Sequence, residues 1–492
     1  MPAKAKPARK VFTAEMLGGG RPIRASYDAA RTTDENKNMW QHVDALSAAA
    51  ANSPGVRKIV RERARYEVAN NSYADGMMDT LASDTIGAEI QLQLGDTENA
   101  QRIEKDFSAW AREIKLFAKL RTLCRARHVD GESFAMFGTN RAMRNLVKLD
   151  VRPFECDLVE SWAGAVREDE IDGIRFDASH NPVEYRVLKT HPGDHRISLK
   201  SLAGEWVSAR YVLHYFGATR PGQVRGVSSL LPALALFGQL RLYTSAVLNA
   251  ATRAAEITAI MQTTMCPDGV SADVDAAATI EAQRNTITSL PEGWTLSQLK
   301  AEQPTTTYQM FKRELINEMG RCVNMPYNVA ACDSSDYNYA SGRLDHQTYD
   351  RSINTERADI RADLLDRIYA EWLAEYAIAK RMDAAEVSAA QDHEWHFSGR
   401  GHVDPNKEAN ADETRFKNGS LTLADYYAKQ GDDWKPKSVQ QIREMVYREK
   451  LWNEERAAAG LPPAPFPTSS YQQQQPAAVA DEADEPAKGR AT

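Results

Sequence analysis

The chain has 492 residues, of which 42% are hydrophobic and 26% charged, with a net charge of −7. That length exceeds one ordinary hydrophobic core, so about two to four structural regions are expected. The acidic balance counts against tight, sequence-independent binding of nucleic acid, which needs phosphate neutralisation. It suits a surface along which a polyanion slides without sticking.

The five cysteines, Cys124, Cys156, Cys266, Cys322 and Cys332, include no C-x-x-C pair. An odd, sparse set points to buried thiols in a reducing compartment and away from a disulfide framework. No N-terminal apolar run of signal-peptide type is present. The longest apolar stretch, residues 230–242, is interrupted by Pro232 and Arg241 and is expected to be too short to span a bilayer. Synthesis and assembly in a cytoplasm, with no membrane partner, are the expectation.

In chain order, residues 1–53 are read as a flexible arm, rich at first in Ala, Lys and Pro, with partner or DNA contact as the functional alternative. Residues 54–226 form a mixed α/β region. A helix over 57–70 carries Arg57, Lys58, Arg61, Arg63 and Arg65, and such a run is expected to be a solvated face. A helix over 98–127 places Ile103, Phe107, Trp110, Ile114, Phe117 and Leu120 on one apolar stripe, a core signal. From 131 to 213 the period changes to short strands, with a hairpin turn at Ser179-His180-Asn181-Pro182. The acids Asp150, Glu155, Asp157 and Glu160 have no motif spacing and read as surface turns.

Residues 220–228 make a loop without the G-x-x-x-x-G-K-[ST] pattern of a phosphate cradle. Ser228 is placed to cap the helix that follows, over 229–261. Between residues 230 and 255 that helix carries only Arg241 and Arg253 as formal charges. A helix apolar on all faces is central in a core or packed on other subunits. Residues 262–306 form a small insert with a helix over 274–286, and strand-like pieces at 287–290 and 294–299. A second helix over 307–324 presents Phe311, Leu315, Met319, Cys322 and Val323 on one face, and Pro326 ends it. A polar loop over 325–342 follows, then a helix over 343–380, about 55 Å long at 1.5 Å per residue. Ile353, Ile360, Leu364, Ile368, Trp372 and Leu373 form its stripe. His393, Glu394 and His396 do not make the H-E-x-x-H spacing of a zinc hydrolase. Helices are expected at 423–430 and 438–459, and a disordered Pro-, Gln- and acid-rich tail over 462–492.

Four separated segments resemble the lambda-type phage portal protein family, in the family's order. They are Asn70-Asn71 with the downstream Gly87; Arg220-Pro221-Gly222-Gln223-Val224-Arg225-Gly226; Asn338-Tyr339-Ala340-Ser341-Gly342-Arg343 after Asn324-Met325-Pro326-Tyr327; and Asp404-Pro405-Asn406-Lys407-Glu408 before Gly419-Ser420-Leu421-Thr422. One serine of the family's Asn-Tyr-Ser-Ser-x-Arg signature is Ala340 here.

The resemblance implies an α+β, mainly helical portal fold, assembled as a ring, usually of twelve subunits, around a channel. In it, 54–226 is a wing, 227–261 and 307–324 are stem helices and 262–306 a clip. Residues 325–342 are a tunnel loop, 343–400 the long wing helix and wing remainder, and 401–461 crown helices. It implies tunnel-loop residues Asp333, Asp336, Tyr337, Asn338, Tyr339, Ser341 and Arg343 facing double-stranded DNA. Stem residues Leu230, Leu234, Phe237, Leu248, Phe311, Leu315 and Met319 would pack between subunits. Clip residues Asp273, Asp275, Glu281, Arg284 and Trp294 would face the terminase motor and the head–tail connector. The major capsid protein is a further implied partner, and the virion vertex the implied location. No enzymatic activity, cofactor or metal is expected. Two other readings stand beside this one: a metal-dependent hydrolase built from scattered acids with His393, His396 and His402, and a capsid-associated DNA-binding protein without a channel.

Overall fold

The computed structural model describes residues 45–95, 99–161, 169–194, 204–256, 260–263, 294–297, 306–335, 338–398, 405–429 and 434–466. The fold is α+β and mainly helical. A short helix α1 (Ala48–Ala51) leads into α2 (Pro54–Asn70), which carries proline at its first position, where no amide partner is lost. Asn71 caps α3 (Ser72–Ile86) by accepting from the Tyr73 amide, and Gly87, at φ +73°, closes it.

Strand β1 (Ile90–Leu94) is followed by α4 (Ala100–Glu113) and α5 (Leu116–Asp130). The single helix expected over 98–127 is therefore two. Lys115, at φ +55°, turns the chain between them, which lets Ile114 and Leu116 both be buried. Strands β2 (Glu132–Thr139), β3 (Leu149–Phe154), β4 (Glu170–Ile171), β5 (Ile174–Phe176), β6 (Pro182–Leu188), β7 (Gly204–Ser208) and β8 (Val212–Phe216) form two antiparallel sheets, ordered β3-β2-β8 and β4-β5-β6-β7. The expected hairpin is β5–β6, with His180 in the left-handed region at its turn.

Helix α6 (Leu234–Glu256) starts later than residue 229, after a tight turn over Leu231–Ala233. Strands β9 (Ile260–Thr263) and β10 (Trp294–Ser297) pair antiparallel. The helix expected at 274–286 and the strand at 287–290 lie outside the described residues. Helix α7 (Thr306–Arg321) ends three residues short of 324, where Met325 N reaches back to Gly320 O at 2.9 Å. After the single turn α8 (Tyr327–Ala330), α9 (Tyr339–Ile360) begins inside the stretch expected to be loop. It continues through a π-helical turn, Arg361–Leu365, into α10 (Asp366–Lys380). Then come α11 (Ala384–Gln391), β11 (His393–Phe397), α12 (Pro405–Lys417), α13 (Leu423–Lys429) and α14 (Trp434–Ala458). Strand β11 pairs with the distant β1.

Two cores divide the long rod. In the first, Phe107 and Trp110 of α4 meet Tyr369 and Trp372 of α10 and Trp395 of β11. The Phe107 and Trp372 rings stand edge to face at 5.1 Å. The second joins α2, α3, the start of α6, the end of α7 and residues Tyr349 and Ile353 of α9. The π turn lies beyond the point where the stripe changes core. One extra residue in a turn shifts the buried face, so Leu364 and Leu365 are both buried side by side. Between the cores, Arg357 donates to Asp84 O, Thr85 O and Ser398 O, a cation on the last carbonyls of α3.

The second core corrects one expectation. Leu230, Phe237 and Met319 are sealed within the chain's own interior and have no surface left to offer a neighbouring subunit. A second expectation also changes. Residues Leu231–Thr252 are long and apolar enough to cross a membrane by length and composition, with mean hydropathy 1.2. The first turns of that helix pack on the chain's own core, and Arg241 pairs with Glu67 at 2.9 Å.

Candidate functional site

Two sites carry the sequence motifs. The first is a buried charged junction. Positions 57, 61 and 65 of α2 are four apart and share one face. Arg57 and Arg61 are buried, whereas Lys58 and Arg63 are exposed, so the basic run is solvated on one side only. Arg57 Nη1 meets Asp172 Oδ2 at 2.9 Å and Arg61 Nη1 meets Asp157 Oδ1 at 2.8 Å. Arg65 bridges Asp130 and Asp157, each at 2.7 Å. Asp157 is thus an internal partner and not a surface turn.

At the centre, Arg225 of the Arg-Pro-x-Gln-x-Arg-Gly motif forks onto Glu132, with Nη2–Oε1 at 2.7 Å and Nε–Oε2 at 2.8 Å. Its Nη1 donates to Val159 O and Asp172 O. Burial alone raises the Glu132 carboxyl; Arg225 and the hydrogen bond from His214 outweigh it and hold that carboxyl well below the usual range. Burial lowers His214 below the ordinary imidazole range against the opposing pull of Glu132.

The rest of the motif locks the loop. The Gln223 carbonyl accepts from Thr219 and from the Arg220 amide, and its amide donates to Arg225 O. A Cβ on Gly226 would stand 1.9 Å from Gly131 O, so only glycine fits. Ser228 Oγ accepts from the Leu230 amide and donates to His128 O, which fixes where α6 departs. This loop is an architectural joint between α2, the two antiparallel sheets and α6. The four-residue spacing of Arg57, Arg61 and Arg65 on α2 is visible in the sequence. Their acidic partners lie far along the chain and carry no signal of their own.

The second site is the polar segment between α7 and α9. A cleft of about 830 Å³ is lined by Arg313, Glu318, Arg321, Asn324, Asn338 and Asp345, among others. Asp333 Oδ1 accepts from Ser335 N and Ser335 Oγ, and these bonds depress its carboxyl below the usual range. Asn338 and Arg343 are exposed. Tyr339 and Ser341 belong to the first turn of α9, so they are helical and not loop. Asp336 and Tyr337 lie outside the described residues.

Between α6 and α7, Tyr243 packs edge-on against Phe311 at 5.3 Å. Leu234 and Leu315 are half-buried against the second core. Leu248 is 66% exposed and Phe311 48%, beside Leu242 at 67% and Met310 at 68%. Beyond Leu240, no described side chain of α6 is buried. Asp273, Asp275, Glu281 and Arg284 lie outside the described residues, and Trp294 is described only as part of β10.

The histidines of the hydrolase reading do not converge. His393 and His396 sit three apart on β11, hence on opposite faces. His393 is held by Gln391 O and Asp366 Oδ1. His402 lies outside the described residues.

The profile of the family described as "Phage portal protein, lambda family" matches residues 34–357. The chain belongs to the lambda family of phage portal proteins. The match runs from residue 34 into α9 and takes in both the buried junction and the polar cleft. A curated relative, the probable portal protein of Halomonas phage phiHAP-1, is 23% identical over 484 residues, covering 91% of this chain and 89% of its own. Among solved structures, a chain from the neck of an empty gene transfer agent particle matches at TM-score 0.46 and 13% identity, covering 80% of this chain and 92% of that one. An HK97 family phage portal protein from Corynebacterium diphtheriae matches at TM-score 0.28 and 12% identity, over 58% of this chain and 85% of its own. The function is that of a phage portal protein.

Proposed function

We propose that the chain assembles as a closed ring, of twelve copies by analogy with the wider family, around a channel for double-stranded DNA at a capsid vertex. The observation that carries this reading is the division of the stem. The near ends of α6 and α7 are fixed in the chain's own core. Their far ends expose Leu242, Leu248, Met310 and Phe311. Apolar side chains of that size gathered on a long helical hairpin favour burial against another surface, and a heterologous contact that closes gives a ring.

In this arrangement the segment around Asp333, Asn338 and Arg343 borders the bore. Mixed acids and amides, with few arginines, make contacts to phosphate that are weak and renewable, as sliding requires. The clip, with Asp273, Asp275, Glu281, Arg284 and Trp294, serves as the docking platform for the terminase motor and then for the head–tail connector. The major capsid protein surrounds the ring. The protein acts as a conduit and does no chemistry of its own; the ATP-driven force comes from the terminase.

Light scattering coupled to size-exclusion chromatography, with negative-stain imaging, tests the assembly. Rings with a central hole are the expected particles. A monomer at all salt concentrations, with no ring in the images, overturns the reading.

A further inference from the structure

Away from both sites, helix α5 carries Cys124 and His128 one turn apart on the same face, and α9 brings Glu356 against them. We propose that Cys124, His128 and Glu356 bind one divalent transition-metal ion, of the zinc class, that staples α5 to the long helix. Their ligand atoms, Sγ, a ring nitrogen and a carboxylate oxygen, all lie within 4.8 Å of one another. A tetrahedral zinc ion with ordinary bond lengths to sulfur, nitrogen and oxygen needs its ligands about 3.4–3.6 Å apart. His128 Nε2 and Glu356 Oε1 are already 3.5 Å apart.

The imidazole supplies the independent observation. His128 is 5% exposed, and its Nε2 faces Glu356 Oε1 at 3.5 Å, an ion-pair contact that falls short of hydrogen-bond geometry. Its Nδ1 contacts Ser229 Oγ at 3.0 Å and Arg127 Nη1 at 2.8 Å. Arg127 can only donate to Nδ1, so the ring as it stands carries its proton on Nε2. Binding an ion moves that proton to Nδ1, which then donates to Ser229 and leaves Nε2 to ligate, the outer-shell arrangement that metal-bound histidines use. Arg127 then turns wholly to Glu356 Oε2, now 3.6 Å away. Tyr215 donates its hydroxyl to the same carboxylate and holds it in place.

The mixed sulfur, nitrogen and oxygen set suits zinc or cobalt over magnesium or calcium.

The test uses untagged, full-length protein, stripped with a chelator and titrated with cobalt(II). The expected result is one ion per chain by elemental analysis, with a thiolate-to-cobalt absorption band that zinc displaces. Cys124→Ser and Glu356→Gln are expected to lose the band, and zinc is expected to raise the melting temperature of the parent chain only. Substoichiometric cobalt with no thiolate band in the folded parent chain overturns the proposal. So does a Cys124→Ser variant that binds as tightly as the parent. The cobalt titration of the parent chain decides between binding and no binding even where a variant fails to fold.

Discussion

Arg225 shows how a buried charge can organise a joint. The guanidinium is 2% exposed and Glu132 is fully buried, so neither ion has water to fall back on. Removing one partner strands the other, which costs about 3–5 kcal/mol in such pairs. Arg225→Ala is therefore expected to lower the melting temperature by several degrees or more. Arg225→Lys recovers only part of this, because a lysine keeps the charge and loses the two-pronged fork and the donations to Val159 O and Asp172 O. Differential scanning calorimetry reads both; a neutral Arg225→Ala would show that the junction relaxes freely.

His214 adds a pH dependence with a definite sign. Its ring stacks between Phe134 at 4.2 Å and Phe216 at 4.4 Å, and it faces Glu132, Tyr185, Arg225 and Arg57. Because its folded value is lowered, the unfolded chain binds more protons as pH falls through about 6.5, and stability declines. The Glu132 carboxyl, also lowered, contributes stability that is present above about pH 4.3 and is lost below it. Both slopes point the same way, toward weakening in acid. His214→Gln keeps a donor for Glu132 without titrating, so the fall in melting temperature between pH 7 and pH 5, followed by circular dichroism, is expected to become shallower.

At the scale of elements, the apolar stripes were legible and the breaks in them were not. Phe107, Trp110, Leu364, Ile368 and Trp372 all lie in the first core, where their helical spacing puts them. The turn at Lys115 and the π turn were invisible, because no residue type at either place demands a break and both flanks pack on the same core. The same holds for the basic face of α2: solvation is the default for a charge run, and only the folded chain brings Asp130, Asp157 and Asp172 to it. The polar segment before α9 was legible as polar. That Tyr339 and Ser341 are helical was not, since nothing in Asn338-Tyr339-Ala340-Ser341 marks the first turn.

The π turn gives a prediction of its own. Deleting Ala362 restores an α-helical phase and turns α10 by about 100° relative to α9. Tyr369, Trp372 and Tyr376 then leave the core they share with Phe107. Tryptophan fluorescence is expected to shift to longer wavelength, with loss of cooperative melting. An unchanged spectrum would mean that the extra residue is tolerated on either side.

For the whole molecule, the α6–α7 pair separates two kinds of apolar residue that look alike in the sequence. Phe237 belongs to the second core, and Leu248 and Phe311 lie open. A carboxylate introduced at each has a different expected result. Leu248→Asp and Phe311→Asp leave the monomer's core untouched and put charge where a neighbour would close over it. They are expected to keep the parent's circular dichroism and yield smaller species in light scattering. Phe237→Asp buries an unpaired charge and is expected to abolish folding. Should Leu248→Asp and Phe311→Asp form rings as readily as the parent, the far stem is not the seam, and the exposed stripe of Val439, Ile442 and Val446 on α14 becomes the surface to mutate next.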